Sequence, residues 1–209
     1  MNKILIIGTP RTGSSNFARS IARDRNCSKI GEIFNHKTFK KRLLRQKIDF
    51  TEWETFRNNY KDLDEHEQMV KFQIDYFNSR NNIIAKLFPE HLHRLEEEKM
   101  LKYALKLCSC ADEIFYTQRL DKKLQTISKS ISLLTKEWNE HREPFEGELT
   151  DFMLSEVFKE IKDANNKVID IFKKYSGTII NLDEDDSPYQ NRYRYKGDWQ
   201  LPEELPILK

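Results

Sequence analysis

A chain of 209 residues can bury one sizeable core but is too short for two complete domains. Its 36 basic and 34 acidic residues leave a formal charge of +2, which gives no general case for nucleic-acid binding, so any basic site must be local. With 38% hydrophobic and 11% aromatic residues the composition excludes a disordered chain, and no apolar run reaches the ~18 residues that a membrane span requires.

Lys3–Ile7 is a mostly apolar run followed at once by Gly8, the pattern of a buried parallel strand that ends in a turn. Ser14–Arg23 places Phe17, Ala18, Ile21 and Ala22 on one helical face. Ser28–Phe34 is a second strand candidate, interrupted by Gly31-Glu32. From about 37 to 80 the chain is charged and helical in pattern, an expected insertion of two or three helices with breaks near Asp49–Thr51 and Asp62–Asp64. Asn82–Phe88 is a third strand, stopped by Pro89, and Glu90–Leu107 is expected as one helix. Glu113–Gln118 is a fourth strand, Asp121–Trp138 a helix, Thr150–Tyr175 a long helix and Gly177–Leu182 a fifth strand. The tail from Pro188 looks irregular. Strands alternating with helices predict a single α/β domain over 1–209, built on a parallel sheet of about five strands with helices on both faces.

Cys27, Cys108 and Cys110 form no disulfide framework, and Cys108-Ser109-Cys110 lacks a matching ligand pair, so ordinary thiols and no metal are expected. Met1-Asn2-Lys3 followed by four apolar residues is too short for a secretory h-region, which makes the cytoplasm the expected location.

Gly8-Thr-Pro-Arg-Thr-Gly13-Ser-Ser15 has the spacing of the phosphate-binding P-loop, with a strand before it and a helix after it. Ser14 stands where the lysine of nucleoside triphosphatases belongs, and the cation is instead Arg11, inside the loop. A nucleotide with one 5′-phosphate carrying something other than a β-phosphate suits that change. Pro10, Gly13 and Ser14 would also be at home in a plain capped turn.

Pro10-Arg11-Thr12-Gly13-Ser14-Ser15 resembles the 5′-phosphosulfate loop of the sulfotransferases that use 3′-phosphoadenosine 5′-phosphosulfate (PAPS) and release 3′,5′-ADP. A second segment, Arg119 through Ser128, is similar to that family's 3′-phosphate element. Arg119, Asp121, Gln125 and Ser128 fall on the Arg-x-Asp and Gln-x-x-Ser positions of its bacterial carbohydrate branch. A guanidinium forks onto phosphate oxygens and a hydroxyl adds a donor. Gly31-Glu32-Ile33-Phe34 looks like the branch's Gly-Glu-Pro-Phe, with Ile33 for the proline, and the resemblance makes Glu32 the general base. Ala85-Lys-Leu-Phe-Pro89 is similar to the Lys-Thr-His-Leu-Pro of cytosolic members, but Leu87 occupies the histidine's place. Lys86 could reach the sulfuryl group, although a lysine flanking a strand end is more often surface. Arg194-Tyr-Lys196-Gly-Asp-Trp199 resembles the segment that closes over the 3′-phosphate, at compressed spacing, which makes Arg194 and Lys196 candidates.

The resemblance implies a P-loop-type fold and transfer of a sulfuryl group to a hydroxyl of a carbohydrate, lipid or other small molecule. Glu32 and Arg11 would be catalytic and Pro10 to Ser15, Arg119 and Ser128 would hold the donor. A small P-loop kinase without its lysine and a non-catalytic nucleotide-binding protein are the alternatives. Of the five histidines, His91-Leu92-His93 has poor spacing for a metal, and His36 either lines the acceptor pocket or is solvated.

Overall fold

The apolar runs assemble as expected into one five-stranded sheet in the computed structural model, which describes residues 2–37, 39, 41, 63–136, 147–182 and 199–209. The strands are β1 (Lys3–Gly8), β2 (Ser28–Glu32), β3 (Ile83–Leu87), β4 (Glu113–Gln118) and β5 (Thr178–Asn181). Their order is β2-β3-β1-β4-β5 and every neighbouring pair is parallel. Five α-helices lie in the described residues: α1 (Ser14–Asp24), α2 (Glu65–Ser79), α3 (Glu97–Cys108), α4 (Lys122–Thr135) and α5 (Asp151–Lys174). This is a P-loop-type α/β fold: a parallel sheet with its first strand central and helices on both faces.

Residue parity along the strands sets the two faces. Ile4 and Ile6 of β1 and Ile84 of β3 pack with Ala18 and Phe17 of α1 on one side. Leu5 and Ile7, with Ile83, Ala85 and Leu87, face the larger core built by α2, α3 and α5 on the other. Inside that core Glu67 of α2 accepts hydrogen bonds from Tyr103 and Lys99 of α3, so its buried carboxylate is paired. A third cluster joins Ile127 and Ile131 of α4 to Leu154, Val157, Phe158 and Ile161 of α5, and Trp199 and Leu205 close over it. The tail, read as irregular, has no helix or strand over 199–209 but is docked. Gln118 donates to the Leu208 carbonyl at 3.2 Å and accepts from its N–H at 2.9 Å, and Asn165 donates to the Pro206 carbonyl at 2.8 Å.

Two boundaries differ from the sequence reading. The helix expected over Glu90–Leu107 is a 3-10 turn at Pro89–Leu92 followed by α3 from Glu97. Phe88 is extended, as a residue before proline must be, and the chain needs an irregular stretch to swing from the strand end onto the core face. The second strand ends at Glu32, not Phe34, because Ile33 and Phe34 are fully packed in a turn. Of the expected insertion at 37–80, α2 is described; positions 42–62 lie outside the described residues.

One irregularity positions a candidate residue. Along β2 and β3 the register runs Ser28 to Ile83 and Lys29 to Ile84, then shifts so that Gly31 meets Ala85 and Glu32 meets Lys86. Gly31 carries φ 86, a left-handed value that a side chain would strain. In an unbroken register Glu32 would sit beside Leu87 and face the opposite side of the sheet; the bulge turns it to the α1 side.

Candidate functional site

The Gly8–Ser15 loop leaves β1 at its carboxyl end and opens directly into α1, the position at which parallel α/β sheets bind ligands. Arg11 (φ 66) and Gly13 (φ 83) are both left-handed, and a non-glycine residue held there is strained. Such alternation curls the backbone so that successive N–H groups point into a concavity suited to an anion. Gly13 caps α1 with no side-chain cap bond among the described residues; the first backbone bonds run from Asn16 and Phe17 to the Gly13 carbonyl, at 3.0 and 3.3 Å. The Ser14 and Ser15 amides therefore fit an anion at the positive end of the helix. Thr12 is buried and stiffens the loop by donating to the Thr9 carbonyl at 3.0 Å and contacting the Thr117 hydroxyl of β4 at 3.3 Å. Ser14, at the place of the missing lysine, is buried.

The second sequence segment closes on this loop from the β4 side. Gln125 of α4 is fully buried and donates to both the Thr9 hydroxyl and the Pro10 carbonyl at 2.7 Å. Arg11 Nε donates to Ser128 Oγ at 2.9 Å, and Arg119 donates to the Arg11 carbonyl at 3.4 Å. Asp121 serves as the N-cap of α4 by accepting from the Leu124 N–H at 2.7 Å. Residues more than a hundred positions apart thus form one polar assembly, with the two guanidinium groups and the Ser128 hydroxyl on its rim. Lys122 is buried beside it, 3.5 Å from Gln125 Oε1.

Lys86 overturns the surface reading. Only 5% of it is exposed; it shares the α1 face of the sheet and donates to Ser15 Oγ at 2.8 Å and to Glu32 at 3.3 Å. Its ammonium also lies 4.9 Å from the centre of the Phe88 ring. A lysine delivered by the neighbouring strand therefore stands at the first turn of α1, where the loop itself offers only serines. Glu32 is held on its other oxygen by Asn35, at 3.0 Å, with His91 Nε2 3.8 Å away. Burial pushes the His91 imidazole below its usual range; Glu32 opposes this and Lys86, His93 and Lys129 reinforce it.

Beyond Glu32, His36 opens a helical turn and its ring lies 4.7 Å from that of His66 at the start of α2. His36 is therefore not the solvated histidine that was one of its two expectations, since it is partly buried, as is His66. Burial, with His66, Arg94 and His91 adding to it, pushes His36 down to about 4.

Glu32, Lys86, Arg11, Ser15, Arg119 and Ser128 therefore share one end of the sheet. Arg194 and Lys196 lie outside the described residues. Lys122 and Arg94 escaped sequence reasoning, and His91 was read only as part of a pair poorly spaced for a metal; proximity to Asp121 and Pro89 was the available signal for Lys122 and His91. The described residues hold no group of three or more His, Cys, Asp or Glu that could bind a metal. Cys27, Cys108 and Cys110 are free, and burial pushes the Cys108 thiol up to about 12. No helix among the described residues is long and apolar enough to cross a membrane.

Neither a protein-family profile nor a curated protein matches the sequence. Among solved structures, the chain is similar to a crystal structure of shikimate kinase from Bacteroides thetaiotaomicron, with a TM-score of 0.48 and 11% identity over 90% of this chain and 89% of that one.

Proposed function

We propose that the protein is a sulfotransferase that takes the sulfuryl group of PAPS and passes it to a hydroxyl acceptor. The observation that carries the reading is the Arg11–Ser128 bond, with Arg119 on the Arg11 carbonyl. The two segments whose resemblance assigns them to opposite ends of one donor nucleotide meet at a single loop.

The residues fit such a donor. The loop amides and Arg11 suit a 5′-phosphosulfate, and Arg119 and Ser128 supply donors for a 3′-phosphate. Bound there, PAPS supplies a sulfuryl group on a phosphate leaving oxygen. Glu32 takes the proton from the acceptor hydroxyl as the new O–S bond forms in line with the bond that breaks. The electron pair of the broken bond goes to the phosphate oxygen, where Arg11, Lys86 and the loop amides hold the charge. Lys86 and Asn35 also aim Glu32, since each anchors one oxygen of its carboxylate.

The Lys86–Ser15 contact favours a second reading, a small kinase. Lysine and serine at the first turn of α1 are the pair that a P-loop kinase uses on phosphate and Mg²⁺, here with the lysine supplied from β3. A melting assay separates the two. 3′,5′-ADP should raise Tm by mass action and ATP with Mg²⁺ should do much less. A larger shift with ATP-Mg²⁺ would move the assignment to the kinase, and sulfate transfer from PAPS to a hydroxyl acceptor would complete the sulfotransferase case.

A further inference from the structure

We infer that His36, His66 and Arg94 form an oxyanion subsite for the acceptor, so that the compound attacked at its hydroxyl also carries a phosphate or carboxylate group. Only the word acceptor rests on the group-transfer reading above; the anion site itself stands on separate observations.

The first observation is placement. His36 follows β2, His66 begins α2 and Arg94 follows the turn after β3, so three separate elements bring cationic or proton-accepting groups to one end of the sheet. The second is hydrogen bonding. His36 Nε2, both ring nitrogens of His66 and His91 Nδ1 are buried with no hydrogen-bond partner among the described residues. Buried polar atoms are rarely left so, and four imidazole nitrogens in one cluster point to a ligand with several oxygens. The third is charge. The groups that act on His36 are His66, Arg94 and His91, all of which disfavour its protonation, and the same Arg94 acts on His66. Among the described residues the carboxylate acting on His66 is Asp64, which already accepts from the Glu67 N–H as the cap of α2. Two imidazoles with ring centres 4.7 Å apart, and a guanidinium that acts on both, repel an added proton, and an oxyanion among them would remove that repulsion. A neutral polyol would satisfy the nitrogens but leave Arg94 without a role.

The geometry also orders the acceptor. Ser15, Lys86, Glu32 and His91 form a chain of contacts at 2.8, 3.3 and 3.8 Å, and His91 is in turn among the groups that act on His36. A hydroxyl at Glu32 with the anion farther along this line would face the loop with its charge held away from the leaving oxygen.

The test uses NMR of the imidazole Cε1–H signals of the full chain, with and without saturating 3′,5′-ADP. Glycerol 3-phosphate and glycerate are the anionic probes, and glycerol is the neutral one. The His36 and His66 signals should shift saturably with one or both anions and not with glycerol; whichever binds tighter identifies phosphate or carboxylate. Arg94 is exposed, so Arg94→Ala should fold and weaken the anion at least fivefold. Signals that ignore the anions, that respond equally to glycerol, or that keep full affinity in Arg94→Ala would overturn the subsite. Loop resonances unmoved by 3′,5′-ADP would instead sink the donor assignment and leave the subsite standing.

Discussion

Ser128→Ala tests the donor site at its most economical point. Ser128 is 5% exposed, and its Oγ accepts a charge-assisted bond from Arg11 Nε at 2.9 Å. A hydroxyl that accepts one bond keeps its own hydrogen to donate, so it can serve a phosphate oxygen without releasing Arg11. Loss of the Arg11 bond should cost about 1–1.5 kcal/mol in the ligand-free protein, at or below the bottom of the ~1.5–3 kcal/mol range for a charged partner, because the partly exposed guanidinium can rehydrate. For a chain of this length that is a fall in Tm of roughly 2–6 °C. Loss of a donor to the 3′-phosphate should cost a further ~1.5–3 kcal/mol of binding, or roughly 10- to 150-fold in Kd for 3′,5′-ADP. Calorimetric titration with 5′-AMP, which lacks the 3′-phosphate, supplies the control. Equal losses for the two nucleotides would mean that Ser128 acts by shaping the loop, and an unchanged Kd for 3′,5′-ADP would refute the reasoning outright.

Glu32→Gln keeps the shape of the side chain but not its basicity, so turnover should fall by about 10²–10⁴-fold while 3′,5′-ADP affinity holds; full activity would assign the base to another residue. Lys86→Met should lower turnover at least tenfold, with only a modest loss of stability because Glu32 is partly exposed and can take up water; wild-type rates would return Lys86 to a packing role. His36 titrates near 6.5 when unfolded and at about 4 when folded, so the unfolded chain binds more protons between those values and stability should fall as pH drops through them. Urea midpoints should show a shallower fall in His36→Asn. His66 and His91, shifted in the same direction, would leave a residual slope, and Glu90, shifted upward by burial, would oppose it. An unchanged slope would exclude His36 as a contributor.

The parts of the site that were legible in the sequence are those built from contiguous residues. The anion loop is one strand end, one turn and one helix start, and Gly8 to Ser15 fixes all three locally. Arg119, Asp121, Gln125 and Ser128 were legible because they occupy one strand end and the next helix. Lys86 was not, since its direction depends on strand parity. It belongs to the α1 face because β3 lies beside β1 with Lys86 level with Ile6, and that pairing spans eighty residues. The break between Leu92 and Glu97 was hidden by a helical pattern that continues through it. The His36–His66 pairing was hidden because it joins two ends of a segment whose middle carries no motif.

Glu32 shows why a motif can survive the loss of its most distinctive residue. In the pattern that it resembles, a proline follows the glutamate; here Ile33 does, and Ile33 is fully buried. What aims the carboxylate is the residue before it. Gly31, at φ 86, takes up the register shift that brings Glu32 level with Lys86 on the face that bears the loop. The neighbouring strand then supplies the ammonium, and Asn35, one turn on, supplies the second anchor. The departure at position 33 therefore leaves the placement of Glu32 intact, because that placement is set by the bulge and the ion pair and not by the side chain that follows.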